Sequence, residues 1–124
     1  PTWTGTTAPS GTTNHSYSWN RIGNIVTLRV SLDYTTAGTL VTAVTFDLPS
    51  DCPTPELPSG VSTAADVISY GSGMLTTNRN IPATPTATYS VIRIKSTGVY
   101  EINIGRATAA NHRYAYVTIN YFTT

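Results

Sequence analysis

The sequence predicts an all-β domain, an antiparallel sandwich or barrel of about seven or eight short strands. Three observations lead there. Apolar side chains recur at every second residue in several stretches. Thr and Ser together exceed a quarter of the chain, and Tyr (8) outnumbers Phe (2), a composition suited to pleated, half-buried surfaces. Helical spacing is confined to one short candidate, Val61 to Ile68, flanked by Gly60 and Gly71.

In chain order, residues 1–15 are rich in Thr, Gly and Pro and read as a linker, leaving 16–124 as the domain. A weak strand is expected over Tyr17 to Arg21, before Gly23. From Asn24 to Asp33, Val26, Leu28, Val30 and Leu32 share one face, and Thr27, Arg29, Ser31 and Asp33 the other. The next strand places Leu40, Thr42, Val44, Phe46 and Leu48 on one side, after a hairpin over Tyr34 to Gly38 in which Gly38 supplies a positive φ. Asp33 then serves as a turn residue. Pro49 to Pro58 contains four prolines and is expected to be an extended connection without ladder bonding; Ile81 to Thr86 is a shorter version. Weak strands over Asp66 to Tyr70 and Met74 to Thr77 surround a flexible turn at Gly71-Ser72-Gly73. Tyr89 to Lys95 turns at Ser96-Thr97-Gly98 into Val99 to Ile104, with Tyr100, Ile102 and Ile104 on one face. The last strand, Tyr114 to Phe122, directs Ala115, Val117, Ile119 and Tyr121 to the core.

At 124 residues and 13.2 kDa the chain has room for one domain. With 10% charged residues and a net charge of +1 it lacks the driving force for phosphate-backbone binding, so nucleic acid is not an expected partner. Nor does an apolar run reach the length of a membrane span. The first residues resemble no signal peptide and read as a cut within a longer chain. Cys52 is the single cysteine, and beside Asp51 it is better suited to be a small buried hydrophobe than a nucleophile.

Chemistry-bearing residues are sparse. His15 and His112 lack metal-ligand spacing, so neither a metal nor another cofactor is expected. Glycoside hydrolysis needs two carboxylates roughly 5–10 Å apart, and Asp47, Asp51 and Glu56 around the proline-rich loop are the candidate source. Two polar loop tips can instead hydrogen-bond or stack on sugars: Asn78-Arg79-Asn80 and Asn111-His112-Arg113-Tyr114.

An ordered set of features carries a family resemblance. Tyr17-Ser18-Trp19-Asn20-Arg21-Ile22-Gly23-Asn24-Ile25-Val26 opens it, followed by an alternating strand, a strand ending at Leu48-Pro49, Val91-Ile92-Arg93-Ile94, Gly98, and Tyr116-Val117-Thr118-Ile119-Asn120-Tyr121. From Tyr17 onward the chain resembles the C-terminal head domains of bacteriophage tail fibres, baseplate receptor-binding proteins and head fibres. The loop after Leu48-Pro49 lacks the glycine of the commoner form. The resemblance implies a jelly-roll-like sandwich, a homotrimer at a fibre tip on the virion, other virion proteins reached through the N-terminal side, and a bacterial surface glycan or protein as receptor. It matches Trp19 and Gly23 as structural positions and transfers no binding residue. The function expected is therefore non-catalytic receptor binding; the alternatives are a virion decoration without a specific ligand and a glycan-degrading enzyme using Asp51 and Glu56.

Overall fold

The computed structural model describes residues 1–57, 60, 67–76, 88–96, 99–105 and 109–124. They form eight strands: β1 (Thr2–Thr4), β2 (Ser10–Ile22), β3 (Ile25–Thr36), β4 (Ala43–Asp47), β5 (Val67–Thr76), β6 (Thr88–Ser96), β7 (Val99–Gly105) and β8 (Tyr114–Phe122). All pair antiparallel in one sheet of order β1-β4-β7-β6-β5-β8-β3-β2, which curls into a half-barrel. The pairs β3–β8, β4–β7 and β5–β6 nest inside one another, the connectivity of a long hairpin rolled up on itself. The two layers expected of a sandwich are thus the halves of one sheet, continuous through the β5–β6 ladder.

Alternation explains what lies inside. Val26, Leu28, Val30 and Leu32 of β3 are at most 1% exposed, and Ala115, Val117, Ile119 and Tyr121 of β8 stand opposite them in register. Val44 and Phe46 on β4 and Ile102 and Ile104 on β7 bring the other half of the sheet to the same core. Each such aliphatic side chain contributes about 1.5–3 kcal/mol on burial. The β6–β7 register, Ile92 against Ile102 and Ile94 against Tyr100, follows the expected pairing. Residues 97 and 98 of its turn lie outside the described residues.

Several expectations are corrected. β3 and β4 are not a hairpin: β3 pairs with β2 and β8, while β4 pairs with β1 and β7. The tight Gly23-Asn24 link between Ile22 and Ile25, with Gly23 at φ 60°, gives one side of β3 to β2. Residues 37–42 instead cross between the halves, tied by bridges from Thr39 to Thr7 and from Val41 to Ala110. Leu40 is exposed there, with φ 50°. Gly38 is used for close approach rather than for positive φ: a Cβ would lie 2.5 Å from the Thr7 carbonyl oxygen and 2.6 Å from Val41 Cγ2. Asp33 is buried inside β3 rather than sited in a turn.

Gly71-Ser72-Gly73 is likewise no turn but the middle of β5, which runs straight through it. Residues 1–15, expected as a linker, carry β1 and the first part of β2, and Trp3 packs edge-on against Tyr34 at 5.4 Å between ring centroids. Their low hydrophobicity concealed this, because edge strands bury little. Of the helix-like stretch, residues 61–66 lie outside the described residues; Val67 and Ile68 begin β5. The 81–86 stretch also lies outside. From Pro49 to Leu57 the chain runs without ladder pairing, as its three prolines dictate.

The glycines give a test. A Cβ at Gly71 would meet the Thr118 carbonyl oxygen and approach Ile119 Cα at 2.9 Å, whereas one at Gly23 meets nothing within 4 Å. Gly71→Ala is expected to lower the unfolding free energy by about 1–3 kcal/mol. Gly23→Asn, which tolerates positive φ, is expected to change it by less than about 1 kcal/mol; urea titration measures both.

Candidate ligand-binding face

Directly opposed residues of an antiparallel ladder share a face, so the register defines the outer surface of β2, β3 and β8 row by row. Ile22, Ile25 and Phe122 form an apolar end row, 77%, 47% and 64% exposed. Asn20, Thr27 and Asn120 follow, then Ser18, Arg29 and Thr118, then Ser16, Ser31 and Tyr116. Hydroxyls and amides on this face bond one another: Thr27 Oγ1 donates to Asn120 Oδ1 at 2.7 Å, and Ser31 Oγ lies 3.4 Å from the Tyr114 hydroxyl.

A groove of about 290 Å³ lies here, lined by Ser18, Trp19, Asn20, Thr27 and Arg29. Trp19 borders it at the sheet edge and is 38% exposed, its indole Nε1 donating to Asp51 Oδ2 at 3.4 Å. The groove has polar walls and one cation, while Trp19 meets it at the edge strand with its indole turned to the other face, toward Asp51. The groove suits a ligand of many hydroxyls rather than an apolar one. Neither Arg29 nor its neighbours stood out in the sequence, where they appeared as the solvent face of a strand. The available signal was a lone arginine alternating with hydroxyl residues.

The other face of β2 directs His15, Tyr17 and Trp19 past the edge of the sheet. Tyr34 gathers a cluster there: Trp3 Nε1 donates to its hydroxyl at 3.2 Å, and His15 stacks edge-on at 5.5 Å. Burial holds the His15 imidazole below its ordinary value, and the positive amino terminus adds to this. Burial, then Tyr34, raises the Tyr17 phenol.

The sequence-predicted residues have mostly structural partners. Asn111 is exposed, its Oδ1 accepting from Leu40 N at 3.4 Å. His112 is buried, and its carbonyl accepts from Gly38 N at 2.7 Å. Arg113 donates to the Tyr34 carbonyl at 2.7 Å and stands 3.9 Å from Asp33. Tyr114 is half-buried beside Ser31. The segment therefore fastens the 37–42 crossover to β3. Asn78, Arg79 and Asn80 lie outside the described residues.

Of the acids weighed for hydrolysis, Asp51 faces the Trp19 indole and Glu56 is exposed, its amide donating to the Phe122 carbonyl at 2.8 Å. Asp47 is exposed, opposite Glu101 in register, while Glu101 is bound by Arg93 at 2.5 Å. Among the described residues no three His, Cys, Asp or Glu side chains group as metal ligands.

Cys52 is buried, as expected, with Sγ 2.9 Å from the Tyr121 hydroxyl. Tyr121 donates its proton to the Pro53 carbonyl at 2.5 Å, so the thiol donates to Tyr121. Burial pushes the Cys52 thiol up, and the neighbouring Asp51 carboxylate adds to this. Burial and then Cys52 push the Tyr121 phenol up strongly.

No protein-family model, curated protein or solved structure matches the chain.

Two stability predictions arise from these contacts. Arg113→Ala removes a charge-assisted bond to Tyr34 and the cation beside buried Asp33, and is expected to cost about 1–3 kcal/mol in urea unfolding. Cys52 and Tyr121 hold their protons longer folded than unfolded. Their contribution is complete below the ordinary thiol value of 9.0 and is lost as pH rises above it. The urea midpoint is expected to fall between about pH 8 and about pH 10.5, with a shallower fall in Cys52→Ala.

Proposed function

We propose that this chain is a non-catalytic receptor-binding domain, the head of a bacteriophage fibre, and that it holds a bacterial cell-surface glycan against the outer face of β2, β3 and β8. The observation that carries this reading is the groove of about 290 Å³ walled by Ser18, Asn20, Thr27 and Arg29. Hydroxyl and amide walls replace the water around a sugar. The resemblance from Tyr17 onward supports the fibre assignment. Residues 111–114 are occupied in holding the fold, so the proposed ligand contacts move from them to the strand surface.

The proposed assembly is a homotrimer on the virion. The exposed row of Ile22, Ile25 and Phe122, with Leu57 nearby in the chain that runs beside Phe122, is apolar surface of the kind that subunits cover. Several heads on one particle would turn shallow sites of modest affinity into firm attachment.

Purified protein is expected to bind intact cells of a susceptible strain and to lose that binding after removal of surface polysaccharide. Asn20→Ala is expected to weaken it by about threefold to tenfold. Binding to no strain in a broad panel favours a virion decoration instead. Release of reducing ends that is lost in Asp51→Asn or Glu56→Gln makes the protein an enzyme. Light scattering at micromolar concentration is expected to return about three times 13.2 kDa, and a mass near 13.2 kDa removes the trimer.

A further inference from the structure

Arg29 is exposed on the outer face of β3, with Ser18 and Thr118 directly beside it across the two ladders. Rows of hydroxyls and amides flank it on either side. Among the described residues no carboxylate lies within ion-pair distance of it: Glu101 is held by Arg93, Asp33 faces Arg113, and Asp51 accepts from Trp19. The groove around it has room for about ten waters by liquid volume, enough for a small polar ring.

A guanidinium presents a planar fork of donors matched to two oxygens of one oxyanion, and its bonds to such a group are about twice as strong as neutral ones. Ser18 can donate or accept through its hydroxyl and Asn20 through its amide, while Thr27, whose proton goes to Asn120, accepts; together they suit ring hydroxyls of either role. One fork for an anion amid neutral partners for hydroxyls describes the complement of an acidic sugar.

We propose that the groove selects an acidic saccharide, a sugar ring bearing a carboxylate or phosphate substituent, with Arg29 seating the oxyanion and Ser18, Asn20 and Thr27 bonding the ring hydroxyls. This rests on the glycan-binding reading above and assigns its ligand class. The near-neutral net charge of +1 is consistent with it, since selection here comes from one placed cation and not from a broad positive field.

The test is a titration of the intact chain with four probes at millimolar concentration: glucuronate, glucose 6-phosphate, the methyl ester of glucuronate, and glucose. The readout is the backbone amide NMR signals of residues 18–20 and 27–29. At least one anion is expected to shift these signals with an affinity about tenfold or more above that of glucose and the ester, and the preferred anion identifies the substituent as carboxylate or phosphate. Added salt should weaken the anion, and Arg29→Gln should reduce it to the level of glucose, while Arg29→Lys retains part of the preference. Equal binding of glucose and both anions, or an anion preference that survives Arg29→Gln, overturns the acidic-ligand assignment and leaves the glycan-binding face standing. No shift at these amides with any of the four overturns both.

Discussion

The ladder between β3 and β8 joins residues roughly ninety apart in the chain, from Ile25 against Phe122 to Asp33 against Tyr114. Its inner row, Val26, Leu28, Val30 and Leu32 against Ala115, Val117, Ile119 and Tyr121, has almost no exposure to water. β2 is attached to the molecule through β3, β5 through β8, and the opposite half of the sheet closes over the same side chains. The outer face can therefore be polar and open, because the inner face supplies the burial that orders both strands. Such long-range pairing costs loop-closure entropy before it returns contact energy, and the nearly dry inner rows of β3 and β8 supply that return.

Around that ladder, polar contacts fasten segments that hydrophobic burial does not order. Tyr121 reaches out of the core to hold the proline-rich loop through Cys52 and Pro53, and Thr123 bonds the Thr54 carbonyl at 2.6 Å. At the opposite end of β8, Arg113 and His112 tie the crossover at residues 37–42 to the end of β3. The prolines make these side-chain and backbone bonds necessary, since a segment without ladder pairing must satisfy its carbonyls in some other way. Polar residues near loops are thus committed to architecture, and the outer rows of the ladder are left available for contact with other molecules.

That division accounts for where reasoning from residue types succeeded and where it did not. Alternation identified β3, β6, β7 and β8, and the inner face of β3 and β8, because a period of two has one solution once one side is apolar. It was silent on partners, and the hairpin expected between β3 and β4 failed because local spacing contains no term for which strand lies alongside. Gly71 and Gly73 looked like a turn; they are strand residues made small by the neighbouring β8 and Ser90, a constraint that arises only when the strands are brought together. His112 and Arg113 looked like a loop tip awaiting a ligand for the same reason: their partners, Gly38, Tyr34 and Asp33, are about eighty residues away.

The amino-acid order by itself determined the all-β character, the apolar rows, the irregular proline-rich connection and the burial of Cys52, since each depends on side chains close together in the chain. Tertiary structure alone decided the order of strands, the incorporation of the first fifteen residues into the sheet, and the assembly of Ser18, Asn20, Thr27 and Arg29 into one groove. The groove spans two strands of opposite direction, so its walls are neighbours only through cross-strand hydrogen bonding. Spacing along one strand does not encode that relation; it is set when the edge strand β2 folds back along β3.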